Sequence, residues 1–346
     1  MAMKPLTTVL IDTYNHEKYI EQTLASALEQ GLSQGEMEVV VVDDGSTDGT
    51  AAIVEKFAPR VKHVRKTNGG QASAFNAGYS VAAGQVVAFL DGDDWWAKGK
   101  LAAVLDALES DRDIAAVGHG YFEFDEATQR AVAQGPVRRE VLELTDVASA
   151  RAALEGWRFL LPGALTVRRR VLERIMPIPE EMVFMADSPI QAAAMTMRTL
   201  VLEEPLFYYR KHSQNLYSLG GEDTEKLRRK YAMTDLVYGL VYKELLELGV
   251  AKETASALVR GFCFNARRWR LSKFGGSRRE AFRTEMDSFH EEFGDASLQY
   301  RLFKYLVVGG ATLAMPPQYF YRLRDWYAER QMGRHRERLV RRESAT

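Results

Sequence analysis

The first hundred residues alternate between short apolar runs and longer segments in which apolar residues recur every three or four positions. The apolar run at 7–12 predicts a buried strand. In residues 15–30, Ile20, Leu24 and Leu28 lie four positions apart, which predicts a helix capped by Asn15. The alternation continues with predicted strands at 37–44, 61–66 and 85–94 and predicted helices at 48–58 and 71–84. This pattern predicts an α/β fold, in which helices cover both faces of a parallel sheet.

The pattern changes further along the chain. Strand-like and helix-like segments are mixed between about 113 and 215, and the pattern beyond them is almost wholly helical. We therefore expect an α/β domain over residues 1–220 and a helical C-terminal region over residues 221–346. That region ends in a basic tail, because residues 322–342 contain eight arginines against three acidic residues.

Acidic residues lie at the ends of three predicted strands. Asp12 ends the first strand, and Asp43 and Asp44 end the second. Asp91 and Asp93 end the strand at 85–94. The carboxyl ends of parallel strands lie along one edge of an open sheet, and ligands bind beside that edge. The sequence therefore predicts one site that collects these carboxylates.

Asp91, Gly92 and Asp93 place two carboxylates on either side of a flexible glycine. Both can turn toward one hard cation, and oxygen ligands suit magnesium or manganese. The alternative is a solvated acidic turn, because carboxylates this close repel one another unless a cation or water relieves the repulsion.

Two further interpretations of the acidic segments fit less well. One is a calcium-binding EF-hand loop, whose ligand positions would be Asp44, Ser46, Asp48, Gly49 and Glu55. A β-branched run precedes that loop, where an EF-hand has a helix. The other is the nucleophile motif of haloacid-dehalogenase-like phosphatases at residues 89–95, but that motif lies on a first strand and has no counterpart of Trp95.

Composition narrows the function classes. The 346 residues include 46 basic and 47 acidic ones, so the formal net charge of −1 gives no overall attraction to nucleic acid, and we expect no such partner. The single cysteine, Cys263, excludes an internal disulfide and is expected to be packed. The N-terminal segment does not resemble a signal peptide, so we expect a cytoplasmic protein.

Four segments together resemble the family 2 glycosyltransferases of the GT-A fold. They correspond to the opening strand and helix, the second strand and turn, the third helix and the acidic motif, at residues 9–30, 38–50, 68–78 and 89–96. The resemblance implies a Rossmann-like nucleotide-binding sheet with helices on both faces. It also implies transfer of a sugar from a nucleoside diphosphate sugar, here a UDP-sugar, to a hydroxyl with inversion at the anomeric carbon.

The resemblance assigns roles to residues at matching positions. Asp93 and His212 would hold a divalent cation, Mn²⁺ or Mg²⁺, and Asp187 would be the catalytic base. Ala186 departs from the family, which usually has a second acid there. The other matched residues would bind the nucleotide sugar, and they are Asp12, Thr13, Tyr14, Glu17, Asp44, Asn68, Gly70, Asp91 and Asp94.

Within this set, Asp44 would contact the uracil edge and Asp91 the ribose, whereas Asp12 stands where the family usually has proline. Each assignment has an alternative. Asp44 could instead cap the following helix, Tyr14 could be a core residue, and His212 could be a hydrogen-bonded loop histidine.

Two other functions remain as alternatives. A sugar nucleotidyltransferase has a similar sheet but needs a glycine- and arginine-rich loop after its first strand, and residues 12–18 contain no glycine. A non-catalytic nucleotide-sugar-binding protein is suggested by Ala186.

The C-terminal region joins an apolar run to aromatic and basic residues. The run at 305–315 has about half the length that a helix needs to cross a bilayer core of ~30 Å. Aromatic rings beside arginines suit a membrane interface. One expectation is a protein peripheral to the inner face of the membrane, with a glycan or lipid-linked acceptor in polysaccharide biosynthesis. The alternative is a helix packed on the protein with a solvated basic tail.

Overall fold

The computed structural model describes residues 7–33, 35–213, 215, 224–292 and 305–324, together with residues 297, 299, 302 and 326. A central sheet of ten strands runs through the first part of the chain, in the order β3-β2-β1-β4-β9-β6-β10-β5, with β7 beside β6 and β8 beside β10. The strands are β1 (Thr7–Thr13), β2 (Met37–Asp43), β3 (Lys62–Arg65), β4 (Val86–Asp91), β5 (Trp95–Trp96), β6 (Ile114–Asp125), β7 (Arg130–Gln134), β8 (Glu140–Leu142), β9 (Thr166–Arg168) and β10 (Arg198–Lys211).

The first four strands pair in parallel, as the sequence predicts, and β10 also pairs in parallel with β6. Val9, Leu10 and Ile11 are consecutive on β1 and all fully buried, which requires cover on both faces of the sheet. Continuous apolar runs are typical of strands buried in this way. β9 pairs antiparallel with both β4 and β6, so the whole sheet is mixed. The predicted α/β class is confirmed.

Helices connect these strands and pack against them. Their bounds are α1 (Ile20–Leu28), α2 (Thr50–Glu55), α3 (Gln71–Val81), α4 (Lys100–Ser110), α5 (Val147–Trp157), α6 (Arg169–Leu172) and α7 (Asp187–Met195). α1 contributes the predicted Ile20 and Leu24 to the core, where they pack with Val9 and Val39. Leu28 is partly buried against the same cluster.

The predicted cap at Asn15 is wrong. Asn15 has a positive φ of 56°, and its side-chain oxygen accepts the main-chain N–H of Thr47 at 2.8 Å. The chain then turns, and α1 begins only at Ile20. Asn15 therefore ties two loops together at the carboxyl edge of the sheet.

Helices dominate the described residues after 224, which confirms the predicted helical C-terminal region. They are α8 (Thr224–Glu247), α9 (Lys252–Phe274), α10 (Arg278–Glu292), a π-helical segment (Tyr305–Gly309), α11 (Gly310–Ala314) and a last helix at 317–324. Cys263 is buried on α9, as expected, and burial raises the pKa of its thiol to about 11. Among the described helices, none has the length and apolar character to cross a bilayer.

The chain divides into two compact units. The first comprises Met1–Glu222 and Val237–Leu258, and it contains the sheet. The second comprises Asp223–Leu236 and Val259–Thr346, and its core contains Leu271, Ala281, Phe320 and Tyr321. The predicted boundary between residues 220 and 221 stays a prediction, and the basic tail beyond residue 326 lies outside the described residues.

Candidate active site

The register of the parallel strands brings the predicted acids together at one edge. Asp12 at the end of β1 lies opposite Asp91 at the end of β4, and Thr13 lies opposite Asp43 at the end of β2. The charges of Asp12 and Asp91 also interact directly. The side chains that follow these strands therefore face one site.

The turn after β4 holds a compact acidic cluster. Asp91, Asp93 and Asp94 each offer an oxygen, and these oxygens all lie within 4.8 Å of one another. Gly92 allows the turn to approach its neighbours closely. A Cβ atom at this position would lie 2.5 Å from Thr13 Oγ1 and 2.7 Å from His16 Nδ1. The turn therefore needs a glycine between its two flanking carboxylates.

Three polar side chains lie close to the carboxylate of Asp93. Its Oδ2 atom lies 3.0 Å from His212 Nε2, 3.3 Å from Asn215 Nδ2 and 3.9 Å from His16 Nε2. Burial raises the pKa of Asp93, but the His212 hydrogen bond and the two imidazoles outweigh burial and lower it. Asp93 is therefore the carboxylate that stays ionised most readily in this cluster.

Asp94 has a different environment from Asp93. It is buried, its Oδ1 accepts the main-chain N–H of Arg210 at 2.7 Å, and its carbonyl accepts the hydroxyl of Thr23 at 2.7 Å. Burial and the charge of Asp93 raise the pKa of Asp94 well above its ordinary value. Asp94 thus anchors the turn to β10 and α1, although the resemblance assigns it to the nucleotide sugar.

Asp12 and Asp91 are in an electrostatically unfavourable position. Burial raises the pKa of Asp12 to about 7, with further contributions from the charges of Asp93 and Asp187. Burial and the neighbouring acids also raise the pKa of Asp91 well above its ordinary value. A proton or a cation relieves such repulsion. Carboxylate oxygens this close together fit a hard divalent cation such as Mn²⁺ or Mg²⁺. Their burial does not fit a fully solvated acidic turn.

Asp44 is held by the loop that leads into α3. Its carboxylate lies 2.6 Å from Lys66 Nζ and accepts the main-chain N–H groups of Gly69 and Gly70. It does not cap α2, so that alternative is wrong. Asp48 instead accepts the N–H groups of Glu17 and Thr50. Asp44 and Asp48 accept hydrogen bonds from different loops and so do not converge on one cation. The EF-hand interpretation is therefore wrong as well.

The loop after Lys66 also reaches the segment before α7. Gly70 has a φ of +85°, and a Cβ atom there would lie 2.6 Å from Val183 Cα. The side-chain oxygen of Gln71 accepts the N–H of Ala186 at 3.0 Å. The predicted donor loop and the predicted base are therefore linked directly. Asn68 lies exposed in the same loop.

The remaining predicted donor residues lie in the loop after β1. Tyr14 is 43% exposed, so the core alternative for this residue is wrong. Thr13 is buried, with its hydroxyl 3.2 Å from His16 Nδ1. Glu17 accepts the N–H of Gly49 at 2.8 Å. Tyr14 is thus an accessible ring at this edge of the sheet, whereas Thr13 and Glu17 brace the loop.

Asp187 is the first residue of α7, and Ala186 before it is fully buried. Burial raises the pKa of Asp187 to about 6, against hydrogen bonds from the main chain and from Gln191 that lower it. Asp187 interacts electrostatically with Asp12 and Asp91. The carboxylate of Asp187 therefore lies close enough to the acidic cluster to interact with its charges, and its role as the base stays a prediction.

Three residues of the site do not appear among the residues predicted from sequence. His16 and Asn215 flank Asp93, and His16 lies in the segment 9–30 that the resemblance covers. Arg210 donates from Nε to the carbonyl of Asp93 at 2.8 Å, and its guanidinium lies over the rings of Tyr19 and Trp95. Residue 214 and residues 216–223, which follow β10, lie outside the described residues.

Comparisons with known proteins agree with this architecture. A family model described as "Glycosyl transferase family 2" matches residues 8–176. A glycosyltransferase of Nostoc sp., described as uncharacterized, is 33% identical over 232 residues, which are 64% of this chain and 70% of the relative.

Solved structures share the fold. The crystal structure of S. aureus TarS 1–349 matches with a TM-score of 0.61 and 20% identity, over 89% of this chain and 90% of that chain. A complex of the same protein with UDP-GlcNAc matches with a TM-score of 0.56 and 20% identity, over the same 89% and 90%. These matches confirm the predicted GT-A fold.

Proposed function

The chain belongs to glycosyl transferase family 2 and is a glycosyltransferase, and from this premise we propose that it transfers a sugar from a UDP-sugar to a hydroxyl of a glycan or lipid-linked acceptor, with inversion. The observation that carries the proposal is the acidic cluster of Asp91, Asp93 and Asp94, whose oxygens lie within 4.8 Å of one another beside Asp187. Family membership favours this activity over a sugar nucleotidyltransferase or a non-catalytic binding protein.

The donor would lie along the carboxyl edge of β1, β2 and β4. Asp12, Thr13 and Tyr14 would line the nucleoside pocket, and Asp44 and Asp91 would contact uracil and ribose. Glu17, Asn68, Gly70 and Asp94 would shape the surrounding loops. The TarS complex with UDP-GlcNAc supports UDP as the nucleotide. Because Asp44 already accepts three hydrogen bonds from its own loop, donor binding would reuse a carboxylate that is fixed in place.

A divalent cation, Mn²⁺ or Mg²⁺, would be held by Asp93 and His212, with Asp91 close by. When bound, it would neutralise the charge that develops on the leaving diphosphate. The chain itself supplies Asp93 in its ionised form, because His16 and His212 lower its pKa. Arg210 and Thr23 fix the turn that presents it.

Asp187 would act as the general base. Its pKa of about 6 leaves it mostly ionised at neutral pH, so it can accept the proton of the acceptor hydroxyl. The hydroxyl oxygen then bonds to the anomeric carbon, and the bond from that carbon to the diphosphate oxygen breaks with its electron pair on the diphosphate. A single displacement inverts the anomeric carbon and needs no covalent nucleophile.

We also propose that the protein works in polysaccharide biosynthesis at the inner face of the membrane. Among the described residues from 305 to 326, seven large apolar residues are each at least 46% exposed. We call them the apolar surface, and they are Tyr305, Leu306, Val307, Leu313, Tyr319, Leu323 and Trp326. Exposed aromatic and aliphatic side chains followed by an arginine-rich tail suit a peripheral contact with anionic lipid.

A donor panel tests the proposed chemistry. The protein is incubated with UDP- and GDP-sugars and Mn²⁺, and release of the nucleotide is measured for the wild type and for Asp187→Asn. We expect one UDP-sugar to be turned over, and the variant to lose roughly 10² to 10⁴-fold in turnover with little change in UDP affinity. Near wild-type turnover by the variant would assign the base to another group, and a product with retained configuration would overturn the single displacement.

A further inference from the structure

Gln191 connects the proposed base to another helix. It lies one turn after Asp187 on α7 and is almost fully buried. Its Nε2 atom donates to Asp187 Oδ2 and to the carbonyl of Leu160 at 2.9 Å. Its Oε1 atom accepts the indole N–H of Trp157, the last residue of α5. The amide is thus bonded at both ends inside the protein.

The chemistry of the indole fixes which way this amide points. An indole nitrogen can only donate a hydrogen bond, so the oxygen of Gln191 must face Trp157. The nitrogen must then face Asp187 and Leu160, both of which offer only oxygen acceptors when Asp187 is ionised. Trp157 therefore determines that Gln191 presents a donor, and not an acceptor, to the carboxylate.

This arrangement stabilises one form of Asp187. A buried carboxylate without donors favours its protonated form, whereas a donated hydrogen bond favours the ionised form. Gln191 supplies such a donor to Oδ2 of Asp187. The acidic neighbours Asp12 on β1 and Asp91 on β4 act in the opposite direction, because like charges disfavour ionisation.

We propose that Gln191 is a positioning residue that holds Asp187 ionised and correctly oriented, and that Trp157 locks the Gln191 amide in the orientation this requires. The inference rests on the proposed role of Asp187 as the base. Gln191 acts on this carboxylate together with main-chain hydrogen bonds at the start of α7, which also favour its ionised form.

The test is the pH dependence of turnover, measured with the UDP-sugar that the donor panel identifies. Gln191→Leu removes the donor at nearly constant volume, and Trp157→Phe removes the indole N–H. In both variants we expect the acid limb of the kcat profile to move upward by roughly one pH unit, which is about a tenfold loss of turnover below the midpoint. At high pH turnover should recover toward the wild-type rate, and the donor KM should stay unchanged.

Gln30 provides the matched control. It is also buried, and its amide bonds Ser26, Ala97 and Leu101 and not Asp187. Gln30→Leu should lower the melting temperature without moving the acid limb. If Gln191→Leu is too unstable to assay, Trp157→Phe carries the same test.

The outcomes separate this inference from the assignment of the base. If Asp187→Asn retains turnover, the base assignment fails and this inference fails with it. If Asp187→Asn is inactive but a folded Gln191→Leu or Trp157→Phe keeps the wild-type acid limb, only the positioning role is wrong. A uniform loss of kcat at all pH values would also overturn it, because that pattern indicates general distortion.

Discussion

The Nε2 atom of His212 lies 3.0 Å from Oδ2 of Asp93, although 119 residues separate them in the sequence. His212 directly follows β10, and Asp93 lies in the turn after β4. Arg210 from the same segment bonds the carbonyl of Asp93 and the carboxylate of Asp94. Residues 210–212 therefore help to set the geometry of the acidic turn, and a cation held by Asp93 would depend on β10 as well as on β4.

The first prediction concerns Asp93 as a metal ligand. UDP should raise the melting temperature of the wild type far more with Mn²⁺ than with EDTA, because a bound cation separates the phosphate charge from the carboxylates. Asp93→Ala should abolish this difference. Thermal shift with UDP, with and without metal, measures it directly.

Asp106 supplies the control for that prediction, since it is an exposed aspartate on α4. Asp106→Ala should retain the full difference between Mn²⁺ and EDTA. Equal stabilisation of the wild type by UDP with and without metal would show that Asp93 does not hold a cation under the diphosphate.

The second prediction concerns Gly92 between the two carboxylates. Gly92→Ala would place a Cβ atom 2.5 Å from Thr13 Oγ1 and 2.7 Å from His16 Nδ1, so the turn must shift. We expect a loss of roughly 1–3 kcal/mol in unfolding free energy and loss of the metal-dependent UDP stabilisation. Denaturant unfolding and thermal shift measure the two effects.

Gly239 on α8 is the matched control, because a Cβ atom there would meet nothing within 4 Å. Gly239→Ala should leave UDP binding unchanged and stabilise the helix by roughly 0.5–1 kcal/mol. If Gly92→Ala behaves in the same way, the acidic turn does not need its glycine.

Much of the site follows from the sequence through local rules. Parallel strands end on one edge, so the proximity of Asp12 and Asp91 follows once β1 and β4 are recognised as strands. Continuous valines in β2 likewise identify a strand buried on both faces. These features depend on periodicity and strand direction, and both are visible in a short window of residues.

Other features depend on contacts between residues that are far apart in the sequence. Asn15 looks like a helix cap, but its left-handed backbone and its bond to Thr47 place it in a loop brace. Arg210 does not stand out in the sequence, yet its side chain contacts Asp93, Gln22 and two aromatic rings in the fold. The antiparallel pairing of β5 with β10 brings Arg210 beside the turn of Asp93, although the two strands are far apart in the sequence.

The third prediction concerns Glu244 on α8. Burial raises its pKa from 4.5 to about 8, with a further increase from the charge of Glu247, and its Oε1 atom has no hydrogen-bond partner among the described residues. The folded state thus keeps a proton that the unfolded state releases between these pH values. Stability should therefore be greatest at low pH and fall as pH rises toward 8.

Glu244→Gln removes this titration and should raise the unfolding free energy at pH 8 by more than at pH 5. Denaturant unfolding at the two pH values measures the difference. Glu55→Gln, at an exposed position on α2, should change stability equally at both. If Glu244→Gln changes the unfolding free energy equally at pH 5 and at pH 8, Glu244 titrates normally in the folded protein.

The last prediction concerns the apolar surface of the C-terminal part. Leu306 is 76% exposed and Leu323 is 54% exposed, whereas Phe320 and Tyr321, which lie between these two leucines in the sequence, pack into the core of the second unit. Exposed apolar groups on this scale are costly in water and favourable at a lipid interface. We expect the protein to float with vesicles that contain anionic lipid, and to dissociate as salt rises, since each arginine near the surface contributes ~1 kcal/mol.

Two changes separate the apolar and the basic contributions to membrane binding. Leu306→Glu places a charge on the apolar surface and should abolish flotation, whereas Val137→Glu, at an exposed valine in the first unit, should have no effect.

Truncation after Trp326 removes a segment with a net basic sequence but leaves Phe320 and Tyr321 in place, so it should weaken binding mainly at low salt. If the wild type does not float with anionic vesicles at low salt, the apolar surface contacts something other than a membrane. Flotation that is lost on truncation but unaffected by Leu306→Glu would assign binding to the arginines alone.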